Sequence, residues 1–280
     1  MNNSRIFQMF KYAVYALLTF NIYVFFAEEW AAAAFRFVEG VALGDVIEGF
    51  AASIDTAAWV ILLLLFELET YVLEDKHITR RVSWALHGLR AICYAFIIYA
   101  FYGYLTKLLF LMGSNALDGS GGDLCALAQA GWAYAVDLDE YVALTVDNCR
   151  TLSSSTNLIA FPGMNSVVDQ TGFTDIIRLA WVDVINAAVW LFVVMFLEVD
   201  VQLQERKITS GTIRKISKTS KFVLYGTLLC AAIYWGFKGD FIDFWDAFLW
   251  LVAFVFIELN VFEWRQETDI TGQSVDQPAI

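Results

Sequence analysis

Proline is almost missing from this chain: two occur in 280 residues, at Pro162 and Pro278. Proline removes a helical N–H and clashes with the preceding turn, so its scarcity leaves long helices free to form. Histidine is as rare, and His77 and His87 fall in one short connection. That excludes a haem held between two buried histidines and disfavours a His-rich metal centre. Lys and Arg number 18 against 30 Asp and Glu, for a net charge of -12 and a pI near 4.5. The chain lacks the clustered positive face that nucleic acid requires, so nucleic acid is not among its expected partners. No apolar stretch carries a lysine at mid-depth for a retinal Schiff base, and none repeats Arg or Lys at every third position as a voltage sensor does. Nucleotide loops, nucleophile elbows and a catalytic Ser–His pairing are likewise absent from the sequence. No enzymatic activity and no cofactor are therefore expected.

What is present is apolar. Hydrophobic residues make up 59% and aromatic ones 16%, charged residues are held to 17%, and mean hydropathy is +0.58. This exceeds what a water-soluble core needs. A bilayer core takes roughly 20 apolar residues per helix, and six stretches qualify, at about 10–29, 54–74, 88–112, 178–201, 221–237 and 241–262. Bases gather at Arg5 and Lys11, at Lys76, Arg80, Arg81 and Arg90, and at Arg206, Lys207, Arg214, Lys215, Lys218 and Lys221. By the positive-inside rule these ends are cytoplasmic, as are both termini. The expected fold is all-α: a polytopic protein of a bacterial inner membrane with six transmembrane helices over 1–264 and a disordered cytoplasmic tail at 265–280.

The opposite side carries two longer connections. Residues 30–53 mix Trp30, Phe35, Phe37, Val38 and Ile47 with acids and read as an amphipathic element at the interface. Residues 113–177 form an outer insertion with Gly119–Gly122 as a flexible joint, while Asp118 and Asp123 fit a calcium loop only weakly because the alternating ligand spacing is missing. Cys125 and Cys149 both fall in this insertion, on the oxidising side, and are expected to form a disulfide; Cys93 and Cys230 fall inside spans and read as small buried apolar residues.

The chain repeats itself. Laid over one another without gaps, the even-numbered spans share Asp/Asn-x3-Trp-x7-Glu-x-Glu/Asp/Asn: Asp55, Trp59, Glu67 and Glu69; Asn186, Trp190, Glu198 and Asp200; Asp246, Trp250, Glu258 and Asn260. The odd-numbered spans begin Lys/Arg-x3-Tyr-Ala/Gly-x-Leu/Ile, at Lys11 and Tyr15, Arg90 and Tyr94, Lys221 and Tyr225. Because the first span carries this pattern, it is a retained element rather than a cleaved signal peptide. Three tandem hairpins follow, at 10–74, 88–201 and 221–264, and equal orientation implies a pseudo-threefold bundle about the membrane normal.

Each repeated feature has a functional and a structural reading. Asp55, Asn186 and Asp246 are expected to cap helix N-termini at the outer side, and Trp59, Trp190 and Trp250 to pack. A carboxylate inside a membrane costs several kcal/mol unless paired, solvated or neutral. Glu67, Glu69, Glu198, Asp200 and Glu258, with Asn260 as a neutral oxygen, are therefore the candidate ligands of a cation or proton. Glu67 and Glu74, like Glu198 and Glu205, share a helix face and suggest a ladder of acids, which Arg265 breaks in the third copy. Lys11, Arg90 and Lys221 enter from the same side as these acids and are candidate ion-pair partners. Two function classes stand. One is a channel or secondary transporter for a cation or proton. The other is a non-conducting scaffold or subunit, clamped by those ion pairs, that contacts lipid, a partner membrane protein or further copies of itself.

Single cysteines placed in 113–177 are expected to react with an impermeant thiol reagent from outside the cell, and those in 76–88 or 207–219 are not. Labelling of the 207–219 connection from outside would overturn the orientation.

Overall fold

The computed structural model describes residues 2–37, 46, 49–68, 80–117, 123–153, 157–205 and 212–256. Three helices come first, α1 (Asn2–Arg36), α2 (Ala51–Glu67) and α3 (Arg80–Met112). A sheet-bearing insertion follows, and then α6 (Gln170–Glu205), α7 (Thr212–Lys238) and α8 (residues 241–256). The chain is predominantly helical, and α1, α3, α6 and α7 are each long and apolar enough to cross a bilayer. A helix satisfies its backbone polar groups internally, which hydrocarbon demands. Large apolar side chains such as Phe20, Phe96, Phe192, Phe222 and Phe237 stand exposed on these helices, and that suits lipid rather than water as the solvent.

The helices pack in a closed circuit. Helix α2 lies between α1 and α3, α3 packs on α6, and α6 on α7. Gly236 of α7 sits where a Cβ would meet the Phe244 ring of α8 at 3.2 Å. Helix α8 returns to α1 through Phe7 and Phe10, whose rings meet Phe256 edge-on at 5.3 and 5.7 Å, and through Asn21, which donates to Asp246 at 2.7 Å. The bundle core is built on Val14, Leu18, Leu63, Ile97, Val193, Leu228 and Ala253.

The all-α expectation is corrected by the insertion. It contains β1 (Asn115–Ala116), α4 (Leu124–Gln129), β2 (Ala133–Ala135), β3 (Tyr141–Ala143), α5 (Cys149–Leu152), β4 (Leu158–Ala160) and β5 (Ser166–Asp169). The five strands form one sheet in the order β1-β4-β5-β2-β3, in which β2 pairs with β5 in parallel and the other pairs are antiparallel. Strands of two to four residues are too short to show a period of two in sequence, but Tyr134, Ile159, Val167 and Val168 bury completely enough to form a second core with Leu108 and Ile176. The β4–β5 hairpin turns on Phe161-Pro162-Gly163-Met164, with Met164 N donating to Phe161 O and Gly163 at φ 66. Proline at the second position and a positive-φ glycine at the third are what a type II turn requires. Cys125 and Cys149 are joined, with Cα atoms 5.0 Å apart, and staple α4 to α5. Asp123 accepts from Cys125 N at 2.9 Å and so caps α4. Residues 118–122, most of the 38–48 connection and the 265–280 tail lie outside the described residues, and with them the readings made of those segments.

Asp169 joins the sheet to the bundle. Placed one residue before α6, it accepts from Gly172 N at 2.8 Å and from Ser153 Oγ at 2.7 Å. Partial burial pushes its carboxyl up, but the donors on Gly172, Ser153 and Tyr134 outweigh this and hold it below the ordinary 3.8. A carboxylate depressed in the folded state contributes stability that is full above the unfolded value and fades as pH falls through the folded one. Asp169→Ala should therefore cost the insertion about 1–2 kcal/mol at neutral pH and much less near pH 2, as read from urea unfolding of the full chain in detergent. An equal loss at both pH values would show that the cap is not what the carboxylate supplies.

Candidate functional site

Charged and polar side chains inside the bundle occupy two levels, separated by a layer of tryptophan. At the end far from the sheet, Lys11 Nζ lies 2.5 Å from Glu67 Oε1, with the two residues 2% and 4% exposed. Tyr12 and Tyr15 hydroxyls approach the same carboxylate at 3.5 and 3.4 Å, and the ammonium also faces the Tyr12 ring at 5.4 Å. Helix geometry explains the pattern. Lys11 and Tyr15 are four residues apart and share one face of α1, and α2 lays Glu67 against both. The repeated Lys/Arg-x3-Tyr and the repeated Glu are thus two halves of one contact in the first hairpin. Arg90, Tyr94, Lys221 and Tyr225 are each engaged rather than free, whereas the side chains of Glu69, Glu198, Asp200, Glu258 and Asn260 lie outside the described residues.

The middle layer is formed by the repeated tryptophans. Trp59, Trp190 and Trp250 are all less than a tenth exposed, and their ring centroids stand 5.7, 6.1 and 6.3 Å apart. Phe254 packs on Trp190 at 4.6 Å and closes the layer from below. Aromatic pairs at such distances contribute about 0.5–1.5 kcal/mol each beyond their burial.

Above the tryptophans, toward the sheet, lies a cavity of about 70 Å³, room for a handful of water molecules. Its floor is Trp59, Trp190 and Trp250, and its wall is acidic. Helix α1 supplies Glu28 and Glu29, α2 supplies Asp55, α6 supplies Asp183, α8 supplies Asp243 and Asp246, and the β2–β3 loop supplies Asp139. Against these seven carboxylates the described lining sets one base, Lys107 of α3. Its Nζ lies 2.8 and 2.7 Å from the two Asp139 oxygens. One further polar atom, Asn186 Oδ1, is buried without a protein partner on a residue that lines the cavity. Just outside the bundle, burial raises Asp137, beside Asp139 in sequence, to about 6, with the acids Asp240, Asp139 and Glu140 adding to the shift.

The capping expectation for Asp55, Asn186 and Asp246 is corrected here. Helix α2 begins at Ala51 and α6 at Gln170, so Asp55 and Asn186 sit inside their helices rather than at their ends. Asp246 spends an oxygen on Asn21, and all three residues face the cavity. The N-terminus of α2 is capped from another helix instead: Glu29 accepts from Ala52 N at 2.8 Å, from Ser53 N at 3.1 Å and from Ser53 Oγ.

Several of these residues were not singled out by the repeats, although the register contains them. Asp183 and Asp243 stand three residues before Asn186 and Asp246, at the position held by Ala52 in the first copy. Seventeen residues beyond Lys11, Arg90 and Lys221 come Glu28, Lys107 and Lys238. Among the described residues no three carboxylates converge closely enough to ligate a bare metal ion. The chain matches no protein-family model, no curated protein and no solved structure.

Removing one member of a buried ion pair strands the other, at a cost of about 3–5 kcal/mol. Glu67→Gln should lower the unfolding free energy by about that amount, and Lys11→Met in the same chain should restore most of it. An unchanged melting curve for Glu67→Gln alone would show that the pair does not hold α1 to α2.

Proposed function

We propose that this protein is a cation-handling membrane protein, a channel or secondary transporter, whose binding site is the acidic cavity between the tryptophan layer and the sheet. In this reading α2 and α8, together with the residues that follow each, complete six spans. The three hairpins are arranged about a pseudo-threefold axis, the termini lie on the cytoplasmic side and the sheet lies outside. The observation that carries the reading is charge: among the described residues, seven carboxylates from four helices and a loop face one cavity that contains a single lysine. So many like charges at close range require protons or a cation among them. The lining favours a cation that keeps hydrogen-bonding groups of its own, because bare-metal convergence is lacking among the described residues and the buried acceptor Asn186 Oδ1 awaits a donor. Glu69, Glu198, Asp200, Glu258 and Asn260 would then continue the path toward the cytoplasm.

The Lys11–Glu67 pair favours a second reading for its own level, that of a clamp in a non-conducting scaffold. Flux separates the two. In liposomes the wild-type protein should carry protons, Na⁺, K⁺, Mg²⁺, Ca²⁺ or methylammonium with saturation, and Asp55→Asn or Asp246→Asn should lower that flux about tenfold or more, a loss of about 1.4 kcal/mol of binding or barrier. Melting of both variants should stay within a few degrees of the wild type, roughly the 1 kcal/mol scale. A well-folded wild-type protein that moves none of these cations, and whose melting temperature none of them raises, would sink the transport reading.

A further inference from the structure

Lys107 is the unexpected group in the cavity. Ammonium groups are rarely buried, and this one is 8% exposed. It stands one helical turn and a half from the end of α3 and bonds both oxygens of Asp139. Asp139 belongs to the short loop between β2 and β3, so this ion pair ties the sheet to the bundle across the cavity. Glu28 and Asp183, from α1 and α6, feel the same positive charge. At the equivalent position of the first hairpin stands Glu28, and at that of the third stands Lys238, whose Nζ reaches Asp175 at 2.7 Å in a more exposed pair. One repeat position thus supplies an acid to the cavity from one copy and an ammonium to it from another. The buried, unpartnered Asn186 Oδ1 shows that the cavity has further hydrogen-bonding capacity for an occupant that donates.

We infer that Lys107 is a tethered competitor for the cavity: its ammonium holds the place of the transported cation, and its pair with Asp139 latches the sheet over the site until that cation displaces it. This rests on the reading of the cavity as a cation site. The ligand class follows from the occupant already present, a charged group that donates several hydrogen bonds, and is met either by a primary ammonium or by a hydrated inorganic cation. Lysine suits the task because its ammonium is a compact charge on a flexible four-carbon stem. When the stem swings aside, Asp139 is left facing the incoming cation, so no carboxylate loses its counter-charge. The latch and the ligand then exclude one another, and the β2–β3 loop is loosened only when the site is filled.

The test uses full-length protein in detergent and liposomes, with methylammonium, Na⁺ and Mg²⁺ as the cations. Lys107→Met with Asp139→Asn removes one charge of each sign, so net charge cannot account for a change in affinity. This double variant should bind the cation that wild type binds about tenfold or more tightly. Proteolysis of the β2–β3 loop should be fast in it with or without that cation, whereas in wild type the cation should be needed to speed cleavage. Lys107→Arg offers Asp139 a planar fork that is harder to displace, and it should weaken binding severalfold while keeping the loop protected. Unchanged or weaker binding by the folded double variant, or unchanged binding by Lys107→Arg, would overturn the competitor. Binding of none of the three cations by wild type or by any variant would remove the cavity reading beneath it as well. Methylammonium binding without Na⁺ or Mg²⁺ binding would assign the site to primary ammonium, and the reverse to a hydrated ion.

Discussion

Three indole rings set the dimensions of everything else in the bundle. Trp59, Trp190 and Trp250 come from α2, α6 and α8, and centroid spacings near 6 Å leave those helices little freedom to approach or part. Large rigid side chains fill a helical axis where smaller ones would let it collapse. With the axis propped open, there is space on the sheet side for polar residues and water. With the rings themselves in the gap, that space has an aromatic floor on the side away from the sheet.

The two polar levels solve the same electrostatic problem differently. At Glu67 the counter-charge is built in: Lys11 sits against the carboxylate, two tyrosines crowd around it, and almost nothing is exposed. Toward the sheet the balance is left incomplete, since among the described residues carboxylates outnumber the lysine and the buried Asn186 Oδ1 lacks a partner. A fully satisfied polar network rigidifies, whereas an unsatisfied one is costly unless something from solution completes it. The levels differ less in the presence of acids than in how completely those acids are satisfied.

Much of this was legible in the sequence, and the limits have physical causes. The apolar runs behind α1, α3, α6 and α7 are unmistakable because hydrocarbon imposes length and composition together, although the helices run well past those stretches, from Asn2 to Arg36 in the first. The disulfide followed from compartment and count. The sheet was hidden because its strands are two to four residues long, although Pro162-Gly163 directly after the apolar run Leu158–Phe161 was a usable turn signal. The gap-free register of Asp55, Asn186 and Asp246 contained the cavity, but placing each helix start by hydrophobicity made these residues look like ends and suggested caps. Glu29 was unreadable in principle. Nothing local reveals that a carboxylate on α1 will terminate α2, a contact that depends on two helices meeting.

The Asn21–Asp246 hydrogen bond spans 225 residues of chain. A ribosome delivering this protein into a membrane has placed the first hairpin long before α8 exists. Until then Asn21 lacks the partner it has in the finished bundle, Trp59 has neither of its tryptophan neighbours, and the acids of α1 and α2 face an unfinished wall. The cavity is therefore the last thing made. A chain shortened before α8 would retain most of its apolar spans yet present open carboxylates inside the bilayer, a state that membrane quality control is well placed to recognise.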